Sequence, residues 1–180
     1  NVKIAGIFDK DYWGNTDIIG DLPVIQSEEI LDDPEQLEYY KNNFNFFCAV
    51  NWMPMQDEVT VRNRNKRNRL INLIEKYDLP CISIVDSTAR ISKYAKIGKG
   101  CFIDGNLMIE HHAVVGDFCN IYAHCDIGHN SIMGKNCVMQ RQVMLMSNAV
   151  VEDDVYISMC VRALKPHLVF KKNTFIHENI

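Results

Sequence analysis

No stretch of this sequence approaches the roughly 18 consecutive apolar residues that a membrane-crossing helix needs, so membrane insertion is not expected. The opening residues, NVKIAGIFDKD, have neither the basic start nor the long apolar run of an export signal. Basic residues do not predominate: 19 Lys and Arg stand against 23 Asp and Glu, for a net charge of −4, which argues against a nucleic-acid surface. One local basic run, residues 62–69 (RNRNKRNR), reads as a solvated loop leading into a helix. Disorder is excluded by an apolar fraction of 47% with 23% charged residues. The seven cysteines are an odd number with no metal-ligand spacing among them, so neither a disulfide framework nor a metal site is expected, and a reducing, cytoplasmic setting is. The chain starts at Asn1 rather than methionine, with a strand-like segment already under way. It reads as a piece of a longer protein.

What the sequence has in quantity is a repeat. From Ala89 it can be written as hexads with no insertion: ARISKY, AKIGKG, CFIDGN, LMIEHH, AVVGDF, CNIYAH, CDIGHN and so on to the end. The third place reads Ile91, Ile97, Ile103, Ile109, Val115, Ile121, Ile127, Met133, Met139, Leu145, Val151, Ile157, Ala163, Val169, Phe175, all apolar. Chance would give such a run on the order of once in 100,000 draws. Each hexad is a short strand plus a corner, with the third side chain pointing inward. The first place is small in most early hexads, including Cys101, Cys119, Cys125 and Cys137, as a tight corner beside a packed interior requires. Glycine at the fourth place (Gly98, Gly116, Gly128, Gly134) suits positive φ at a turn. Three faces close a coil and coils stack as parallel strands about 4.8 Å apart. The period of six with an aliphatic third place marks a mainly β chain, a left-handed parallel β-helix over residues 83–180. After Gly134 the corner glycines vanish, and the end is expected to loosen.

Residues 1–82 have another texture. Strands are predicted over 2–8 and 44–52, helices over 27–42, with Ser27 as its cap, and over 65–77, and a strand over 81–85 leading into the first coil. Alternating strands and helices suggest a small parallel sheet, a partial Rossmann-like domain without its opening strand and Gly-rich turn.

Histidines gather at adjacent corners: His111, His112, His124 and His129. With three hexads per coil, residues 18 apart share a corner, so His111 and His129 should sit on neighbouring rungs of one edge. Glu110, Asp126 and Asn130 lie close by in sequence. An imidazole on an exposed edge suits a general base, and a second one stacked beside it keeps the first free by like-charge repulsion.

Several segments together resemble one family: GIFDKD (6–11), GDLPVI (20–25), KRNRLINLI (66–74), CISIVDSTARIS (81–92) and DIGHNSIMGKN (126–136). They are similar to the sialic-acid O-acetyltransferase type and its relatives that N-acetylate nucleotide-linked amino sugars, hexapeptide-repeat enzymes with a Rossmann-like nucleotide-sugar domain before the β-helix. The resemblance implies an acetyltransferase of surface glycan biosynthesis that uses acetyl-CoA as co-substrate. It implies His129 as the base taking a proton from the sugar amine or hydroxyl, His111 as its stacked modulator and Asn130 as the group orienting it, where the family usually has an acid. Transfer is direct, so no nucleophilic serine or cysteine is required. Acetyl-CoA would lie along the groove between neighbouring β-helices of a homotrimer, touching Ser147, Ser158 and Arg162. The nucleotide-linked sugar would meet Phe8, Asp9 and His124. A sugar hydroxyl as acceptor, or a non-catalytic trimeric scaffold, are the alternatives.

Overall fold

The computed structural model describes residues 3–11, 14, 18–19, 21–54 and 58–179. Two compact units divide at 44/45.

In the first unit, β1 (Ile7–Phe8) pairs in parallel with β3 (Leu22–Gln26), which pairs antiparallel with β2 (Ile18–Ile19). The sheet is therefore mixed, where an all-parallel one was expected. Of the expected strand over 2–8, Val2 lies outside the described residues. The predicted helix over 27–42 is two elements. A 3-10 helix, Glu28–Asp32, is capped by Ser27, whose Oγ accepts from Glu29 N at 3.2 Å. Pro34 then forces its predecessor Asp33 into extended backbone (φ −82°, ψ 122°). Asp33 in turn caps α1 (Pro34–Asn43), accepting from Glu35 N and Gln36 N at 2.9 and 3.0 Å.

The second unit is the left-handed parallel β-helix. Its strands are two residues long and fall on three faces. The first face runs Ile84–Val85, Phe102–Ile103, Asn120–Ile121, Val138–Met139, Tyr156–Ile157 and Phe175–Ile176. On the second lie Arg90–Ile91, Met108–Ile109, Asp126–Ile127, Met144–Leu145 and Arg162–Ala163. The third carries Lys96–Ile97, Val114–Val115, Ile132–Met133, Val150–Val151 and Val169–Phe170. Pairing is parallel and in register at an 18-residue offset, as in Ile121 with Met139 and Ile127 with Leu145. The third-place side chains fill the interior from Ile103 to Ala163. The corner thiols are held by carbonyls: Cys119 Sγ donates to Gly134 O at 3.0 Å and Cys125 Sγ to Gln140 O at 2.9 Å. Burial pushes the Cys125 thiol up to about 12 and that of Cys81 to about 11.

Three details differ from the sequence reading. Positive φ falls on the sixth hexad place (Asn106, His112, Phe118, His124, Asn130, Asn136), not on the fourth-place glycines. Those glycines answer to close approach: a Cβ on Gly116 would stand 2.7 Å from the backbone carbonyl of Gly134 on the next coil. The hexads also contain one insertion. Four residues, Leu164 to His167, separate Ala163 from the corner residue Leu168, where other corners have three, and Val150 pairs with Val169 at an offset of 19. The inward residues of the last coil are consequently Phe170 (3% exposed) and Ile176, while Val169 (51%) and Phe175 (43%) face outward. The end also does not loosen, since the ladder continues through Phe175–Ile176.

Residues 45–82 belong to this unit, and the first coil begins at Ile84–Val85, beside the 82/83 division expected from sequence. Residues 45–54 form no strand beyond one bridge, Phe46 with Cys81. Cys48 and Trp52 are buried instead, Trp52 on the outside of the first face against Val138 and Tyr156, its ring centroid 5.5 Å from that of Tyr156. The helix expected over 65–77 starts earlier, as α2 (Glu58–Lys76). The basic run is thus helical, and Arg67 within it is fully buried. Its guanidinium donates to Val50 O, to Phe118 O and to Asn136 Oδ1 (2.8 Å). Desolvation holds its pKa below the usual arginine value.

Candidate functional site

The edge between the second and third faces carries residues 110–112, 128–130 and 146–148 on successive coils. Each coil turns there through a left-handed residue: His112 (φ 58°), Asn130 (57°), Asn148 (62°). The edge is locked by backbone bonds, Asn130 N to His111 O at 3.1 Å and Asn148 N to His129 O at 2.9 Å. Gly128 permits this closeness, because a Cβ there would lie 2.5 Å from Ser147 N and 2.9 Å from Leu145 O.

On this edge the imidazoles of His111 and His129 stack, with centroids 5.0 Å apart and planes 11° from parallel. The 18-residue spacing therefore produces the predicted neighbouring rungs. His129 is half-buried and His111 exposed. The ring of His112 meets that of His111 edge-on at 5.5 Å and stacks on Tyr94 at 5.6 Å. Tyr94 escaped the sequence reading, although it stands 18 residues before His112 and the same spacing rule finds it.

The Asn130 amide nitrogen lies 2.9 Å from His129 Nδ1. An amide has two orientations of nearly equal shape, and they have opposite chemistry. With its NH2 toward Nδ1, the neutral ring carries its proton on Nε2. With its oxygen toward Nδ1–H, the Nε2 lone pair is free to accept a proton. Asn130 thus selects whether His129 is a base at Nε2. From the coil before, Glu110 Oε2 accepts from the backbone N–H of His129 at 2.8 Å.

The other predicted residues are spread over the chain. Ser147 is on the same edge, one coil after His129. His124 (φ 61°) turns the edge between the first and second faces, with Asn106 and Gln142 in the same place on neighbouring coils. It does not join the stacked imidazoles. Ser158 shares that other edge, and Arg162 projects from the second face, its backbone N–H donating to Asn179 Oδ1 at 2.7 Å. Phe8 and Asp9 lie in the first unit. The Phe8 ring meets Tyr40 edge-on at 4.8 Å, and Asp9 Oδ1 accepts from Asp11 N at 3.0 Å. Among the described residues no group of three or more His, Cys, Asp or Glu is arranged to hold a metal ion. No helix among them is long and apolar enough to cross a membrane.

No protein-family model matches the chain, and no curated protein matches it. Solved structures do. WeeI from Acinetobacter baumannii superposes with a TM-score of 0.66 at 15% identity, over 94% of this chain and 73% of that one. A mutant GDP-perosamine N-acetyl transferase from Caulobacter crescentus, in complex with CoA and GDP-perosamine, gives 0.59 at 15% identity over 94% and 80%. The acetyltransferase domain of PglB from Neisseria gonorrhoeae gives 0.50 at 13% identity over 94% and 82%. The chain shares their fold. Function rests on the site itself.

Proposed function

We propose that the chain is a cytoplasmic acetyltransferase that moves the acetyl group of acetyl-CoA to the amino group of a nucleotide-linked amino sugar in surface glycan biosynthesis. The observation that carries this reading is the edge holding His129 between a stacked imidazole and an orienting amide. The similar Caulobacter crescentus protein is an N-acetyl transferase held with CoA and GDP-perosamine, and the similar gonococcal domain is an acetyltransferase. His129 Nε2 takes a proton from the acceptor nitrogen as that nitrogen attacks the thioester carbonyl. The C–S bond breaks, CoA leaves as its thiol and the amide product remains. His111 stacks on the ring of His129 as its modulator, and Asn130 holds the proton on Nδ1 in the orientation that turns its amide oxygen toward that nitrogen. Ser147, one coil on, Ser158 and Arg162 are the cofactor contacts in this reading. Phe8, Asp9 and His124 contact the nucleotide-linked sugar, the first two from a partial Rossmann-like domain.

The same base would serve a sugar hydroxyl, which makes O-acetylation the nearest alternative. One observation favours a scaffold with a decayed cofactor site: Met144 and Met146 are both part-exposed, on the coil after His129. Calorimetry with acetyl-CoA separates either transferase from the scaffold. The acetyltransferase reading predicts saturable micromolar binding to the intact chain, and a folded protein that takes up no acetyl-CoA would leave the scaffold.

A homotrimer belongs to the proposal, and the third face is the surface we assign to it. After Lys96 on its first coil, its outward residues Val114, Ile132, Val150 and Val169 form one β-branched ladder, with Ile132 49% exposed. By contrast, the middle coils of the first face lie against Asn51 and Trp52, and the second face presents Arg90, Asp126 and Arg162 alternating with Met108 and Met144.

A further inference from the structure

We infer that Glu110 is a positioning residue for His129, fixing its backbone and supplying the negative charge that stabilises its protonated ring. The inference rests on the acetyltransferase reading and concerns the acid that reading otherwise lacks, since Asn130 is neutral. Glu110 is itself fixed, because its N–H donates to Ile127 O at 3.0 Å while its carboxylate accepts from His129 N–H at 2.8 Å. The ring nitrogen Nδ1 of a histidine is four bonds from its own backbone nitrogen and so lies within about 5 Å of it. The carboxylate oxygen, 2.8 Å from that nitrogen, therefore stands within about 8 Å of Nδ1, no further than the screening length of physiological salt.

The backbone contact is not unique to this edge. Asp104 Oδ2 accepts from Ala123 N at 3.2 Å, and Glu152 Oε2 from Lys172 N at 2.9 Å. An acid at the fourth hexad place thus clasps the next coil at three points of the prism, and clasping alone would be structural. Only at Glu110 is the clasped residue a histidine in a stacked pair. The groups facing His129 are Glu110 and His111 from the coil before, Asn130 beside it, and Ser147 and Asn148 from the coil after. His112 reaches it only through His111. Of these, Glu110 is the one that favours the imidazolium, and His111 opposes it.

The test is an NMR titration of the His129 ring in the intact chain and in Glu110→Gln. Glutamine keeps an oxygen to accept the N–H and removes the charge. The imidazolium loses a stabilising charge, so the His129 pKa falls, by about 0.5–1 unit. The acid limb of kcat/KM moves to lower pH by the same amount. Asp104→Asn, which weakens the same clasp away from His129, leaves the pKa where it was, and the fall persists with His111→Ala in the background. An unchanged pKa in Glu110→Gln, or an equal fall in Asp104→Asn, overturns the inference. Because the titration needs no turnover, it answers for Glu110 even if His129→Ala proves fully active and the acetyltransferase reading fails.

Discussion

At the scale of single residues, the chemistry turns on which atom of the Asn130 amide faces His129. A carboxylate in that place can only accept. It therefore holds the proton on Nδ1, frees Nε2 and stabilises the imidazolium. Asn130→Asp is expected to move the acid limb of the pH–rate profile to higher pH and to increase turnover on its alkaline side. An acid limb that stays or moves to lower pH would show that Asn130 does not act through Nδ1. The stacking of His111 on His129 was readable from spacing alone, because the 18-residue coil is a rigid ruler. The contact of Glu110 with a backbone N–H was not, although the residue stood out beside the histidines. Side-chain reach across a coil depends on which rotamer the edge leaves open, and the hexad pattern carries no information on that.

Among the elements, α2 shows how a locally misleading pattern arises. Its sequence, EVTVRNRNKRNRLINLIEK, is so polar that the run of cations reads as solvated. Yet Arg67 is buried against the prism, where it satisfies two carbonyls and the Asn136 side chain, which also donates to Asp154 Oδ1 at 2.8 Å. One of those carbonyls belongs to Phe118, which holds a left-handed φ of 58° that bulky residues rarely adopt. Arg67→Met fills the volume but leaves three buried acceptors unpaired, so it should cost about 3 kcal/mol of stability. Chemical denaturation measures this, and a loss under about 1 kcal/mol would mean that water replaces the guanidinium. The prism strands themselves were legible to within a residue as far as Ala163, since burial enforces the third place. The register slip at Leu164–His167 was not legible, because Val169 and Phe170 are both apolar and either could have faced inward. Only the pairing partner, Val150 with Val169, decides it. Nor does the sequence distinguish a strand from an extended segment at 45–54, where Trp52 buries itself on a face of the prism instead of in a sheet.

For the molecule as a whole, the three faces of the prism have different surroundings, and that asymmetry sets how copies would assemble. The first face is covered on its middle coils by Asn51 and Trp52, the second bears charge, and the third carries the Val114–Ile132–Val150–Val169 ladder next to the edge that carries His129. Ile132→Asp places a charge in the middle of that ladder and should convert trimers to monomers without unfolding the chain. Sedimentation with circular dichroism checks both halves, and an undisturbed trimer would move the interface to another face. Because the ladder borders the candidate site, the same variant should also weaken acetyl-CoA binding. The central claim is that His129 is the general base of an acetyl transfer to a nucleotide-linked amino sugar. The direct measurement is steady-state turnover of acetyl-CoA with a panel of nucleotide amino sugars, comparing the intact chain with His129→Ala and following the acetylated product by mass. The account predicts N-acetylated product from the intact chain and a loss of about 100-fold or more in kcat for the variant, with the fold unchanged. Equal turnover by the two proteins would contradict it.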